Sequence, residues 1–261
     1  MLTTEKLDDL ARRYYLADDV IDHRLENRMQ IDSAARLISR LEPGSSVLEL
    51  GYGDGLLTNA LREAGFDADL LEGSPLLCAR AAAMHGPDLR IHHALFEQFR
   101  PTRLYDAVLA LHVLEHVDQP VPLLQHIAQW VRPGGVVMLV VPNRSSIHRR
   151  IALQMGLITA LDELSPRDHL VGHQRVYDLA ALTRDVIAAG LDPQSKFGSF
   201  LKVLPNSMML SYSNDLLKAI DAVSAELPPE LLANIGVTAR RPELSTENQS
   251  ISIEKTHEKL Q

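Results

Sequence analysis

Apolar runs alternate with helical patches through the middle of the chain. Val47-Leu48-Glu49-Leu50 is rich in strand formers; it breaks into glycines and continues as a helix over Leu56–Ala64, closed by Gly65. Asp67–Leu71 reads as the next strand. Pro75 to His85 reads as a helix stopped by Gly86-Pro87-Asp88, and Leu89–Ala94 as a third strand. Tyr105–Leu111 is almost wholly apolar, as a strand covered on both faces is. A helix from Pro120 to Trp130 should turn Val121, Leu124, Ile127 and Val131 inward before Arg132-Pro133-Gly134-Gly135 ends it, and Val136–Val141 follows as the fifth strand. Asp178 opens a helix with Leu182, Val186 and Ile187 inward, ending at Gly190; Asp192–Phe197 and Ile235–Ala239 supply two more strands. Strands alternating with helices at this spacing argue a parallel, doubly wound α/β sheet.

Three stretches fall outside the alternation. Residues 3–41 carry helical periodicity twice, in Leu7, Leu10, Ala11, Tyr14 and Tyr15 and again in Ile31, Ala34, Ala35, Ile38 and Leu41. Ser145–Val176 and Asn206–Pro229 read as mostly helical insertions, the first placed to form a lid or substrate wall. The expected organisation is an N-terminal helical cap over 1–42, a domain over 43–242 with insertions near 144–177 and 199–232, and a flexible tail over 243–261, which is polar and aperiodic.

The turn after the first strand carries the chemistry. Gly51, Gly53 and Gly55 sit between a strand and a helix N-terminus, a corner where a nucleotide can lie on the main chain. A dinucleotide site spaces its glycines G-x-G-x-x-G and cradles a pyrophosphate. Here the third glycine comes one residue early and Glu49 precedes the first, an acid that would repel phosphate and suits a cation. Glu72 ends the second strand about 20 residues on, where a carboxylate can accept from the two hydroxyls of a ribose.

Glu49-x-Gly51-x-Gly53-x-Gly55 resembles the first motif of class I S-adenosylmethionine-dependent methyltransferases. His112-Val113-Leu114-Glu115-His116-Val117 is similar to the "LEHV" segment of their small-molecule members, and Pro133-Gly134-Gly135 with Val141-Pro142-Asn143 to a later pattern of theirs. Gly172-His173-Gln174-Arg175-Val176-Tyr177 resembles a segment of a subset acting on small molecules. The likeness runs in order from Val47 to Asn143. It implies a Rossmann-like sheet with the last strand antiparallel, S-adenosyl-L-methionine as cofactor and a small-molecule acceptor. The implied cofactor residues are Glu49, Gly51, Gly53, Gly55, Glu72, Gly73 and His112. The family often places an aspartate after the third strand to bind adenine, and none stands here; Ala94, Leu95 and Phe96, or Glu97 further on, take its place. The asparagine-proline-proline-aromatic motif of nucleobase and amide methyltransferases is absent after the fourth strand, which weighs against DNA and glutamine as acceptors.

Candidate catalytic groups are His112, His173 and His169, histidine being the side chain that titrates near neutrality. A hydroxyl or protonated amine needs such a base, whereas a carboxylate acceptor does not, and the histidines would then be binding groups. Tyr14, Tyr15, His148 and Arg175 are candidate substrate contacts; for the tyrosines, core packing or a half-exposed face is the slightly better reading. His116 reads best as a loop-orienting residue. His92-His93 finds no third ligand at a usual spacing, and His112 and His116, i, i+4 with Glu115 between, are not in the H-E-x-x-H order of the zinc proteases, so no metal is expected.

Composition narrows the partners. The net charge of −8, with no long basic run, argues against non-specific nucleic-acid binding and against an anionic membrane surface. Arg144, His148, Arg149 and Arg150 form only a small basic patch, and the single cysteine, Cys78, permits no internal disulfide. With no signal-peptide pattern and no run long enough to span a bilayer, the expectation is a cytoplasmic protein, with a homodimer through the N-terminal helices open. Two other readings compete: an NAD-dependent Rossmann oxidoreductase, and a non-catalytic S-adenosylmethionine-binding protein.

Overall fold

Side chains alternate along the central strand β4 (Tyr105–Leu111), and the alternation sets the layers. Val108 and Ala110 belong to one buried cluster, Ala107 and Leu109 to another on the opposite face. β1 (Ser46–Leu50) repeats this, with Leu48 and Leu50 on the first face and Val47 on the second. Glu49 therefore shares the second face with Val47, toward the helix that follows. The first face is covered by α5 (Pro120–Ala128) and α8 (Leu179–Ala188), which bring Leu124, Ile127, Leu182 and Val186. The second is covered by α3 (Leu56–Glu63) and the end of α2 (Ile21–Ile38), through Leu61 and Leu37.

The structure is a computed structural model and describes residues 3–17 and 21–243; the expected tail lies, apart from Glu243, outside the described residues. Seven strands form one sheet in the order β3-β2-β1-β4-β5-β7-β6. The others are β2 (Asp67–Glu72), β3 (Arg90–His93), β5 (Val131–Pro142), β6 (Asp192–Ser199) and β7 (Asn234–Arg240). Pairings from β3 through β5 are parallel, and β7 runs antiparallel to both β5 and β6. The order reverses between β1 and β4, so their C-terminal ends flank the crevice where such sheets hold ligands.

Two stretches differ from expectation. β5 starts at Val131, not Val136: Val131 pairs with Tyr105, the register shifts, and Ala107 then pairs with Val136. The intervening Arg132–Gly135 stays in the strand as an irregularity, where proline and glycine are tolerated. Ile187 faces solvent, and so do Ile31 and Ala35 of the N-terminal stripe, whereas its Ala34 and Leu41 are buried and Ile38 packs on the second-face cluster beside Leu37.

Gly236 in β7 is enforced by packing. A Cβ there would meet the Phe197 ring and come within 2.8 Å of the Leu139 carbonyl oxygen. Gly236→Ala is expected to destabilise the protein by about 1–3 kcal/mol through overpacking. A thermal melt checks it, and an unchanged midpoint would contradict the packing.

The additions converge on the crevice. α1 (Thr4–Leu10) continues as a π-helical turn over Ala11–Tyr15. α6 (Ile147–Gln154) and α7 (Pro166–Leu170) form the first insertion, α9 (Asn206–Met209) and α10 (Asn214–Ser224) the second. Leu25 of α2 is buried with Phe200, Met209 and Leu217, and Arg36 pairs with buried Asp221, so α2 packs on the second insertion. No helix among the described residues is long and apolar enough to cross a membrane.

Candidate active site

The glycine corner is open where a ligand would need it. Gly51, Gly53 and Gly55 have φ of 82°, 52° and 76°, a region closed to most side chains. A Cβ on Gly51 would meet nothing within 4 Å, whereas one on Gly55 would strike the Tyr52 hydroxyl at 2.6 Å. Backbone freedom is thus the reason for the first glycine, and close packing adds to it at the third. Tyr15 lies against Gly53, its Cε1 3.5 Å from where a Cβ would stand.

Two carboxylates flank the corner. Glu49 is 2 % exposed and accepts one side-chain hydrogen bond, from Thr58 Oγ1 at 2.7 Å. Burial pushes its pKa up to about 8, against the pull of the Thr58 hydrogen bonds. Glu72 is also buried; its two oxygens accept from Tyr52 N at 2.8 Å and Ser74 N at 2.7 Å, tying the turn after β1 to the turn after β2. A carboxylate can accept about four hydrogen bonds, so it keeps acceptor capacity for a ligand hydroxyl. Burial raises its pKa as well, with the backbone donors opposing. Next to it a Cβ on Gly73 would meet Leu7 at 2.5 Å and Leu95 at 3.2 Å. Asp8 of α1 accepts from Ser74 Oγ and Leu76 N, and Arg80 donates to the Tyr15 carbonyl at 2.7 Å, so the N-terminal segment is moored over this end.

A cavity of about 770 Å³ runs from the corner past Ala94, Leu95, Phe96 and Glu97 to a polar end formed by His112, His116, His148 and His173. It lies within the range of pockets that hold small organic ligands. His112 ends β4 with φ of 56°, unusual for a residue with a side chain and typical of functional positions. Its Nδ1 lies 3.2 Å from Glu115 Oε1. Burial works against a protonated His112, but the hydrogen bond and charge of Glu115 outweigh it and raise the pKa; the same contact lowers that of Glu115 despite burial. His173 enters from the first insertion, and its Nδ1 meets Asp168 Oδ1 at 2.8 Å. Asp168 also closes a capping box with Ser165 at the start of α7. Gln174 N donates to Glu115 O at 2.7 Å, which stitches this insertion to the loop after β4. His148 is held neutral, its pKa pushed down to about 3 by burial and by the charges of Lys202 and Arg149; its Nδ1 is buried with no hydrogen-bond partner among the described residues.

The structure brings His112, His173, His148, Tyr14 and Tyr15 to this cavity, with every expected cofactor residue except Gly55, which packs against the Tyr52 ring instead. Two expected residues stand elsewhere. His169 is exposed and does not line the cavity, because the short α7 turns its neighbour Asp168 inward instead. Arg175 is spent on the backbone, donating to the carbonyls of Leu114, Val117 and Asp118, so it shapes the loop after β4 rather than the cavity wall. Glu26 was not visible beforehand. Its Oε2 accepts from the Tyr14 hydroxyl and pairs with Arg167, and its Oε1 accepts from Asn206 Nδ2 at 2.8 Å. One half-buried acid thus joins the N-terminal segment and both insertions; in sequence it is one charge in a charged helix, with no signal to single it out.

An acid-led glycine cradle at the sheet's switch point, with a second carboxylate one strand over, is the arrangement expected of a methyltransferase domain. Residues 21–196 match the family described as "Methyltransferase domain", and the chain belongs to that family. It is 25 % identical over 147 residues to a ubiquinone biosynthesis O-methyltransferase of Rickettsia conorii, covering 55 % of this chain and 48 % of that one. It is 29 % identical over 149 residues to the protein of that name from Xanthomonas campestris pv. campestris, covering 54 % and 61 %. The matches thus span about half to three fifths of these relatives' length. The fold is similar to that of a Burkholderia thailandensis 1,6-didemethyltoxoflavin-N1-methyltransferase bound to 1,6-didemethyltoxoflavin and S-adenosylhomocysteine: TM-score 0.58, 17 % identity, 90 % of this chain and 86 % of that one.

Proposed function

We propose that the chain methylates an oxygen or nitrogen atom of a small polar metabolite, in a biosynthetic pathway. The observation that carries this reading is the single cavity joining the glycine cradle to the histidine-lined end. The cradle fits S-adenosylmethionine: a buried acid short of hydrogen bonds suits a cation, an uncovered main chain at Gly51 admits close approach, and Glu72 can take a ribose diol. Glu49, Gly51, Gly53 and Gly55 would hold the amino-acid portion, Glu72 and Gly73 the ribose, and Ala94, Leu95 and Phe96 the base. When bound, the cofactor supplies a methyl group already activated on a sulfonium.

The chain's own residues then align the acceptor and exclude water. The interlock of Glu26, Tyr14, Arg167 and Asn206 closes the cavity's outer wall. His112, oriented by Glu115 through Nδ1, presents its other nitrogen to take the proton of a hydroxyl or ammonium acceptor. Tyr15 and His148 line the space around it. The biosynthetic names of the two curated relatives support a metabolite acceptor.

The test is transfer of tritium from methyl-labelled S-adenosylmethionine to a metabolite extract. Label is expected in a small-molecule fraction; none, despite tight S-adenosylhomocysteine binding, would refute methyl transfer. His112→Asn, a residue that tolerates the left-handed backbone, is expected to lower turnover on a hydroxyl acceptor by about 10²–10⁴-fold while S-adenosylhomocysteine affinity stays within about tenfold. Undiminished turnover would remove His112 from the reaction.

A further inference from the structure

The loop after β4 and the first insertion meet in a cluster that proton removal by His112 does not explain. Glu115 is completely buried. Its Oε1 faces His112, but its Oε2 is shut off from solvent and has no hydrogen-bond partner among the described residues. Burying a carboxylate with an oxygen unsatisfied is costly, and native structures rarely tolerate it without a compensating ligand or charge.

Two imidazoles stand beside it. One ligand atom each from Glu115, His116 and His173 lies within 4.8 Å of the other two. His173 Nε2 is 4.0 Å from Glu115 Oε1, and the two histidine rings pack edge to face with centroids 4.8 Å apart. His173 is also held from behind, its Nδ1 taken by Asp168, and Gly172 lies beside His116 Nδ1. A carboxylate or carbonyl on the far nitrogen is how metal-ligating histidines are oriented.

We propose that Glu115, His116 and His173 bind a divalent transition-metal ion at the polar end of the cavity. Two nitrogens and one carboxylate oxygen suit zinc, manganese, iron or cobalt better than magnesium or calcium, which favour oxygen alone. Ligands at about 2.0–2.1 Å from a tetrahedral ion stand roughly 3.4 Å apart, so the three side chains would close by about an ångström. His116 and His173 both line the cavity, so the ion's remaining positions face the space where an acceptor would lie, and an acceptor bearing oxygen donors could complete its coordination. Sequence spacing offered only His112 and His116; the fold supplies His173 from the insertion, and Glu115 replaces His112 as a ligand.

Calorimetric titration of the chelator-stripped full chain with Zn²⁺ and with Mn²⁺, without cofactor or acceptor, tests the site. One ion per chain is expected for at least one of the two metals. Glu115→Gln and His173→Ala should each weaken binding at least tenfold, whereas His169→Ala, on the same insertion but exposed, should not. S-adenosylhomocysteine binding and a cooperative melt report whether each variant is folded. Where one is not, visible absorption of the Co²⁺-loaded wild type decides by its ligand-field bands. Absence of saturable binding by the wild type, full affinity in both folded variants, or a Co²⁺ spectrum of the hydrated ion alone would overturn the proposal. Because no turnover is measured, failure here leaves methyl transfer standing, and failure of label transfer leaves the ion site standing.

Discussion

Glu72→Ala is expected to weaken S-adenosylhomocysteine binding by roughly 10²–10³-fold. Glu72 does two jobs with one carboxylate. It accepts from Tyr52 N and Ser74 N, which fixes the turns after β1 and β2 relative to each other, and it presents its remaining lone pairs toward the cavity. Hydrogen bonds to a charged group contribute about 1.5–3 kcal/mol each, and buried N–H groups left without partners add a desolvation penalty. A loss of about 3–4 kcal/mol on binding, the sum of a weakened cradle and a missing ribose acceptor, gives the stated factor. The melting temperature should fall as well, since both backbone donors lie in a buried corner. Glu72→Gln separates the two jobs, because an amide oxygen can still serve one backbone donor; it should lie between wild type and alanine. Calorimetry that finds less than a fivefold change for alanine would place the ribose elsewhere.

What could be read in advance divides by distance along the chain. The glycine corner, Glu49 and Glu72 were legible because strand, turn and helix N-terminus are contiguous, and the register of parallel strands carries Glu72 to the level of the turn. The α4 span Pro75–His85 and the β4 span were equally plain, one bracketed by proline and glycine, the other by its unbroken apolar run. The start of β5 was not, because Pro133 and two glycines look like an ending, and only the pairing of Val131 with Tyr105 shows that the strand continues through an irregularity. Periodicity points Ile187 inward and puts Ile31 on a helical stripe, but it fixes the stripe and not its width, and both side chains are exposed. The polar end of the cavity was half legible. His112 and His173 sit in recognisable segments, but the partners that define their chemistry, Glu115 and Asp168, are ordinary acids until the insertion folds over the loop. Glu26 and Arg167 lie further apart still, and nothing local marks them as a pair.

Cofactor binding is expected to expel a proton from Glu49. In the unfolded chain its carboxyl ionises near 4.3, whereas burial in the folded protein pushes it up to about 8. Over the interval between, the free folded protein holds a proton that the unfolded chain has released. The contribution of Glu49 to stability is therefore fully present below about pH 4 and is lost as pH rises through 8. Glu49→Gln removes the titrating group, so its stability should depend less on pH and should exceed that of the wild type above pH 8. Cation binding reverses the preference, since a positive charge beside the carboxylate favours its ionised form. Wild-type affinity for S-adenosylmethionine should accordingly rise between pH 6 and about 8, with up to one proton released per ligand at pH 7. Calorimetry in phosphate and in Tris reads this directly, because the released proton adds each buffer's own ionisation heat. Equal heats in the two buffers for wild type, or the same difference in Glu49→Gln, would mean that Glu49 does not face the cation. The acid-led cradle would then owe its glutamate to the hydrogen bond from Thr58 alone.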